Sequence, residues 1–154
     1  MVGTYDVLVV AVDKNGNEKE LSYQVNVEKR NLSTDVVRVA TSLIGTPYMY
    51  GGSSLAGFDC SGFVQYVYRQ NGISISRSAP TQLIDGRGVS YEDMLPGDIL
   101  VWGYDINSIT HTAIYIGDGK MVHSTHPGEG VLVSSIDFWR RGSGTDIISI
   151  RRID

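Results

Sequence analysis

Residues 57–64 read Gly57-Phe58-Asp59-Cys60-Ser61-Gly62-Phe63-Val64 and hold the single cysteine of the chain. Asp59 is a good helix N-cap type, because a short carboxylate can accept hydrogen bonds from free backbone N–H groups. Cys60, Phe63, Val64, Val67 and Tyr68 then recur at helical spacing and share one face. That spacing predicts a helix with Cys60 in its first turn, at the positive end of the helix dipole. A thiol there is expected to have a lowered pKa and more of the nucleophilic thiolate. The small side chains of Ser61 and Gly62 are expected to leave room for a substrate. The alternative is that Cys60 is simply a small buried hydrophobe, the commonest use of a lone cysteine.

The helix has neighbours with clear punctuation. Upstream, Ser33 or Thr34 is expected to cap a helix running to Ile44, with Val36, Val37, Ala40, Leu43 and Ile44 apolar; Gly45 and Pro47 end it. A glycine-rich loop from Gly51 to Gly57 follows. No Gly-Lys-Ser/Thr closes it, so it is not a phosphate loop. Downstream, the cysteine helix ends near Asn71-Gly72, and residues 79–83 and 91–94 read as short helical pieces. Strands are expected at 99–102, 111–116, 120–125, 131–133 and 147–152, with a helical turn at 136–141. Helices first and an antiparallel meander after them predict an α+β fold.

Three histidines bear on the chemistry of Cys60: His111, His123 and His126. A cysteine nucleophile needs an imidazole to take its proton and a third group to orient that imidazole. A three-residue loop at Gly117-Asp118-Gly119 would pair Ile116 with Lys120 and set Ala113 opposite His123. His111 then lies on the same face, diagonal to His123 and within side-chain reach. A two-residue loop would put the two on opposite faces. His126, beside Pro127-Gly128, reads as a solvated loop residue. No His-Glu-x-x-His helix and no second cysteine supports a metal site, and no cofactor is expected.

Residues 4–12 and 20–27 read as two strands joined by the turn Asp13-Lys14-Asn15-Gly16-Asn17. The Asp-x-Asn-x-Asn run is not a calcium loop, because Glu18 and Gln24 stand where an EF-hand needs glycine and glutamate. Two isolated strands are marginal in water. They are expected to be frayed, docked, or paired with another chain.

Composition narrows the classes. With 42% hydrophobic and 19% charged residues, 154 residues can bury one full core and a small appendage. The net charge of -4, without a basic cluster, argues against nucleic acid as a partner. No apolar run approaches the roughly 20 residues that span a bilayer. No signal peptide is visible, and the early strand suggests a piece of a longer protein. One cysteine cannot form an intramolecular disulfide, so cysteine usage does not identify the compartment.

Assembled in order, these residues resemble an NlpC/P60 cysteine peptidase domain. The likeness rests on Gly45-Thr46-Pro47-Tyr48-Met49-Tyr50-Gly51-Gly52, on residues 57–64, and on Arg77-Ser78 with Gln82. It continues through Leu95-Pro96-Gly97-Asp98-Ile99, His111 to Gly117, and Lys120-Met121-Val122-His123. It implies a papain-like α+β fold over 31–154 and hydrolysis of peptidoglycan stem peptides, in this family usually between γ-D-glutamate and a diamino acid. By position it implies Cys60 as nucleophile, His111 as general base and His123 as the orienting residue. Tyr48, Asp59, Ser61, Arg77 and Ser78 are implied to line the substrate groove. Trp102 replaces a common phenylalanine. The implied setting is the cell wall, outside the cell, and the expected form is a monomer. Residues 1–30 resemble the last two strands of a bacterial immunoglobulin-like module, which opens hairpin pairing as a second form of contact. Two competing functions remain: a non-catalytic stem-peptide binding module, against which the intact Cys60, His111 and His123 argue, and a related thiol amidase or acyltransferase.

Overall fold

The computed structural model describes residues 2–28 and 30–154, in two compact units, one ending at Asn31 and the other running from Leu32 to Asp154. In the first unit, β1 (Gly3–Val12) and β2 (Glu18–Val27) pair antiparallel from Gly3↔Val27 to Val12↔Glu18. The turn forms where expected. Asp13 organises it, its carboxylate accepting from the N–H groups of Asn15 at 2.7 Å and Asn17 at 3.0 Å, while Gly16 takes a φ of +83°. The register sets Tyr5, Val9, Leu21, Tyr23 and Val25 on one face, and all five are exposed.

In the second unit, α1 (Leu32–Ser42), the short strands β3 (Ser53–Ser54) and β4 (Gly57–Phe58), α2 (Cys60–Gln70) and α3 (Ala79–Gln82) come first. The strands β5 (Arg87–Val89), β6 (Ile99–Gly103), β7 (Ile109–Gly117), β8 (Lys120–Ser124) and β9 (Val131–Ser135) follow, then α4 (Ile136–Ser143) and β10 (Asp146–Arg152). The six longer-range strands form one antiparallel sheet in the order β5-β10-β6-β7-β8-β9, so the meander β6 to β9 is flanked by the returning carboxy-terminal strand. The α+β expectation holds.

The sheet has an apolar cluster on each face, as period-2 alternation requires. Ile99, Val101, Ile114 and Val122 pack with Val36 and Ala40 of α1 and with Phe63, Val64 and Val67 of α2. Leu100, Trp102, Ala113, Met121 and Ile150 pack with Ile136 of α4 on the other. Each fully buried Val, Leu, Ile, Phe or Met side chain among them contributes about 1.5–3 kcal/mol.

Local expectations fail where a tertiary partner intervenes. Helix α1 begins at Leu32, so Ser33 and Thr34 sit inside its first turn; the Ser33 hydroxyl donates to the Pro96 carbonyl rather than capping. Residues 90–94 make only isolated turns, Asp93 N–H to Ser90 O and Met94 N–H to Tyr91 O, and no helix. Strands β3, β4 and β5 are two or three residues long, too short to give a periodic signal.

The β7–β8 connection also differs. Asp118 and Gly119 form a two-residue turn with φ of 53° and 67°, and Gly117 rather than Ile116 pairs with Lys120. Asp-Gly with both φ positive is the favoured type I′ hairpin turn. That turn alone would flip the pairing, but a bulge between Tyr115 and Gly117 inserts one residue and restores the pairs Tyr115↔Met121 and Ile114↔Val122. His111 and His123 therefore still share a face.

Candidate active site

Asp59 is the N-cap of α2. Its extended backbone (φ -83°, ψ 177°) and its Oδ1, 2.7 Å from the Gly62 N–H, start the helix at Cys60. The same carboxylate holds Arg77 in a bidentate pair, Nη1 to Oδ1 at 3.0 Å and Nη2 to Oδ2 at 2.8 Å. Arg77 Nη1 also donates to Ser61 Oγ at 3.1 Å. Asp59, Ser61 and Arg77 thus form one cluster at the start of the cysteine helix. Gln82 ties α3 to it, its buried amide donating to the carbonyls of Ser61 and Ser76, both at 3.0 Å.

The small size of Gly62 is taken up by packing. Ser61 is buried against Arg77, and a Cβ on Gly62 would meet the Gly52 carbonyl oxygen at 2.0 Å. The glycine-rich loop lies directly on the first turn of α2, and only glycine permits that approach.

The Cys60 thiol is half-buried, and burial pushes its pKa up, opposite to the expectation drawn from the helix dipole. A backbone hydrogen bond from Thr112 pulls it down, the Asp59 charge pushes it up, and the Ser61 and Cys60 N–H groups pull it down again. Desolvation outweighs the helix terminus here. The Thr112 contact also locates the sulfur, which lies against β7 at the residue following His111.

His111 is almost fully buried and His123 completely so. His111 Nε2 lies 2.7 Å from His123 Nδ1, and His123 Nε2 lies 2.9 Å from Ser134 Oγ. Trp139 of α4 stacks on His111 (centroids 4.8 Å, 29°) and presents an edge-on contact to His123 (4.5 Å, 85°). Enclosure by these neighbours makes the charged forms costly. Burial holds His111 well below its ordinary value, assisted by His123, and holds His123 down to about 4. Both rings are neutral near pH 7. With Nε2 engaged by His123, His111 has Nδ1 left to exchange a proton with another group.

Tyr48 stands beside the glycine-rich loop through a bridge to Phe58. Its hydroxyl pKa is raised by partial burial and then by Cys60 and Asp59, so it lies within electrostatic reach of both. Ser78 is not joined to this cluster: its hydrogen bonds run to Thr81 as the capping box of α3. His126 is exposed beside Glu129, at 3.3 Å, and takes no part in the histidine pair, as its loop position suggests. Ser134 and Trp139 escaped the sequence reading. Ser134 lies one residue beyond the expected end of its strand, and no spacing rule ties Trp139 to a histidine.

Comparison with known proteins matches this architecture. The NlpC/P60 family model matches residues 45–143, a span that contains Cys60, His111, His123, Ser134 and Trp139. The gamma-D-glutamyl-L-lysine dipeptidyl-peptidase of Bacillus subtilis (strain 168) is 36% identical over 111 residues, covering 71% of this chain and 38% of that protein. The gamma-DL-glutamyl hydrolase of the same organism is 42% identical over 122 residues, covering 77% of this chain and 29% of that protein. The crystal structure of the NlpC/p60 domain of the peptidoglycan hydrolase SagA superposes with a TM-score of 0.69 at 35% identity, covering 79% of this chain and 98% of that one. The chain thus spans well under half the length of both curated relatives. The helix-borne cysteine, the antiparallel sheet beside it and the matched span agree, and the chain belongs to the NlpC/P60 family, with that family's papain-like α+β fold.

Proposed function

We propose that this chain is a cysteine endopeptidase that hydrolyses peptidoglycan stem peptides at the bond between γ-D-glutamate and a diamino acid, outside the cell at the wall. The observation that carries this reading is the buried His111–His123 contact of 2.7 Å beside a thiol held against the neighbouring backbone at Thr112. The names of both curated relatives share a γ-glutamyl linkage, which supports a γ-glutamyl group on the acyl side of the scissile bond.

In this reading the Cys60 proton passes to His111 Nδ1 as sulfur bonds to the γ-carbonyl carbon. His123 accepts from His111 Nε2–H and keeps the ring oriented. The N–H groups that open α2 face the developing oxyanion. The C–N bond then breaks, and the leaving amine takes the proton from His111. Water adds to the thioester, the C–S bond breaks, and the thiol is restored. Tyr48 flanks the sulfur, while the Asp59–Arg77–Ser61 cluster fixes the helix start and lines the acyl side. Ser78 lines the groove through the segment it caps. All these residues come from one chain, which supports action as a monomer.

The β1–β2 hairpin fits the closing strands of an upstream immunoglobulin-like module. Its exposed apolar face supports that reading, because such a face is normally covered by a second sheet.

The test is mass spectrometry of L-Ala-γ-D-Glu-L-Lys, its diaminopimelate counterpart and a γ-glutamyl oligomer after incubation with the protein. Release of the diamino acid is expected. Cleavage of the oligomer alone would move the substrate to γ-glutamyl polymers. A thiol inert to iodoacetamide and no cleavage of any peptide would leave a binding module.

A further inference from the structure

His123 has both ring nitrogens engaged, Nδ1 by His111 and Nε2 by Ser134 Oγ. Both contacts run diagonally across adjacent strand pairs. His123 faces Leu132 across β8–β9, and Ser134 stands two residues along the same face. When His111 carries the thiol proton, both its nitrogens bear hydrogen, so Nε2–H must donate to His123 Nδ1. Neutral His123 then holds its only ring hydrogen on Nε2, in a fully buried side chain, and that hydrogen needs an acceptor. The reverse arrangement has His123 Nδ1–H donating to His111 Nε2. It places the His111 hydrogen on Nδ1, where it cannot accept the thiol proton.

We propose that Ser134 is a positioning residue that acts through His123, accepting its Nε2–H so that His111 Nδ1 stays bare for the Cys60 proton. The proposal rests on the roles given above to Cys60, His111 and His123. A serine hydroxyl can donate as well as accept, so the reverse arrangement is tolerated at rest. Only the accepting role serves the state in which His111 is charged. Loss of Oγ therefore leaves a buried N–H unpaired in that state, and the effect falls on turnover rather than on binding. Ser134 is half-buried and lines an open groove of about 710 Å³ with Val133, Phe138 and Trp139, so its own hydroxyl hydrogen can reach solvent.

The test uses Ser134→Ala and Ser134→Thr in the full chain, with kcat and KM on a γ-glutamyl stem tripeptide and ¹⁵N NMR of the histidine rings. Ser134→Ala is expected to lower kcat about ten- to hundredfold with KM within about twofold, and to shift His123 Nε2 from its protonated toward its bare signal. Ser134→Thr, which keeps the hydroxyl, restores both. An unchanged kcat with Nε2–H retained in Ser134→Ala overturns the proposal, as does a Thr variant as impaired as the Ala variant. If the wild-type protein cleaves no stem peptide, the functional reading has failed. The His123 nitrogen signals then still decide the role of Ser134, an unmoved tautomer in Ser134→Ala overturning it.

Discussion

The β1–β2 and β7–β8 hairpins are built by the same local chemistry and end in opposite circumstances. β1–β2 pairs ten residues on each strand, and every apolar side chain on it except Val7 is exposed. β7–β8 has a shorter ladder with a bulge, yet Ala113, Ile114, Met121, Val122 and His123 are all fully buried. Alternation and an Asn-Gly or Asp-Gly turn are enough to write a hairpin. The β7–β8 pair has packed elements on both faces of its sheet, and there two imidazoles are desolvated and held neutral. A buried neighbourhood, rather than pairing length, separates the two hairpins.

The largest expected contrast is in activity. Removing the proposed base with His111→Ala is expected to lower kcat about 10³-fold, while Tyr23→Ala on the first hairpin leaves stem-peptide cleavage within about twofold. A comparable loss in both would break the comparison. For stability, Met121→Ala should cost about 2–5 kcal/mol in urea unfolding by opening a cavity, against about 0.5 kcal/mol or less for exposed Leu21→Ala.

The pH dependence follows from His123. Its folded value of about 4 lies below the ordinary 6.5, so as pH falls the unfolded chain takes up the proton first. Stability is full above about pH 6.5 and is lost as pH falls toward 4, by about 3 kcal/mol for this residue. His111 is shifted in the same direction and adds to the loss. The His123→Asn variant should flatten this limb of a thermal-melt series, and an unchanged slope would contradict the burial argument. A smaller effect is expected at the start of α2, where Asp59→Ala removes the cap bond to Gly62 and should cost about 1–2 kcal/mol, read as a lowered urea midpoint.

Much of this was legible in the sequence because its signals are local. Asp59 before an apolar helical stripe gave the cysteine helix its start, and the strands β6 to β8 announced themselves as apolar stretches bounded by glycine-containing turns. The diagonal placement of His111 and His123 was also readable, although by a different loop: the type I′ turn at Asp118-Gly119 and the bulge offset one another, and a bulge has no sequence signature in an apolar strand. What stayed hidden depends on assembly. The thiol's raised pKa is a burial effect that no helix dipole argument contains. Gly62 is small because the Gly52 carbonyl packs directly against it, a contact that no spacing rule along the helix contains. Ser134 and Trp139 reach the histidines only once β9 and α4 have packed.

The central claim is tested most directly by incubating purified muropeptides with the wild-type protein and with Cys60→Ala and following the products by mass spectrometry. The account predicts fragments split after γ-D-glutamate with the wild type and none with Cys60→Ala. Cleavage at the same bond by Cys60→Ala would contradict it.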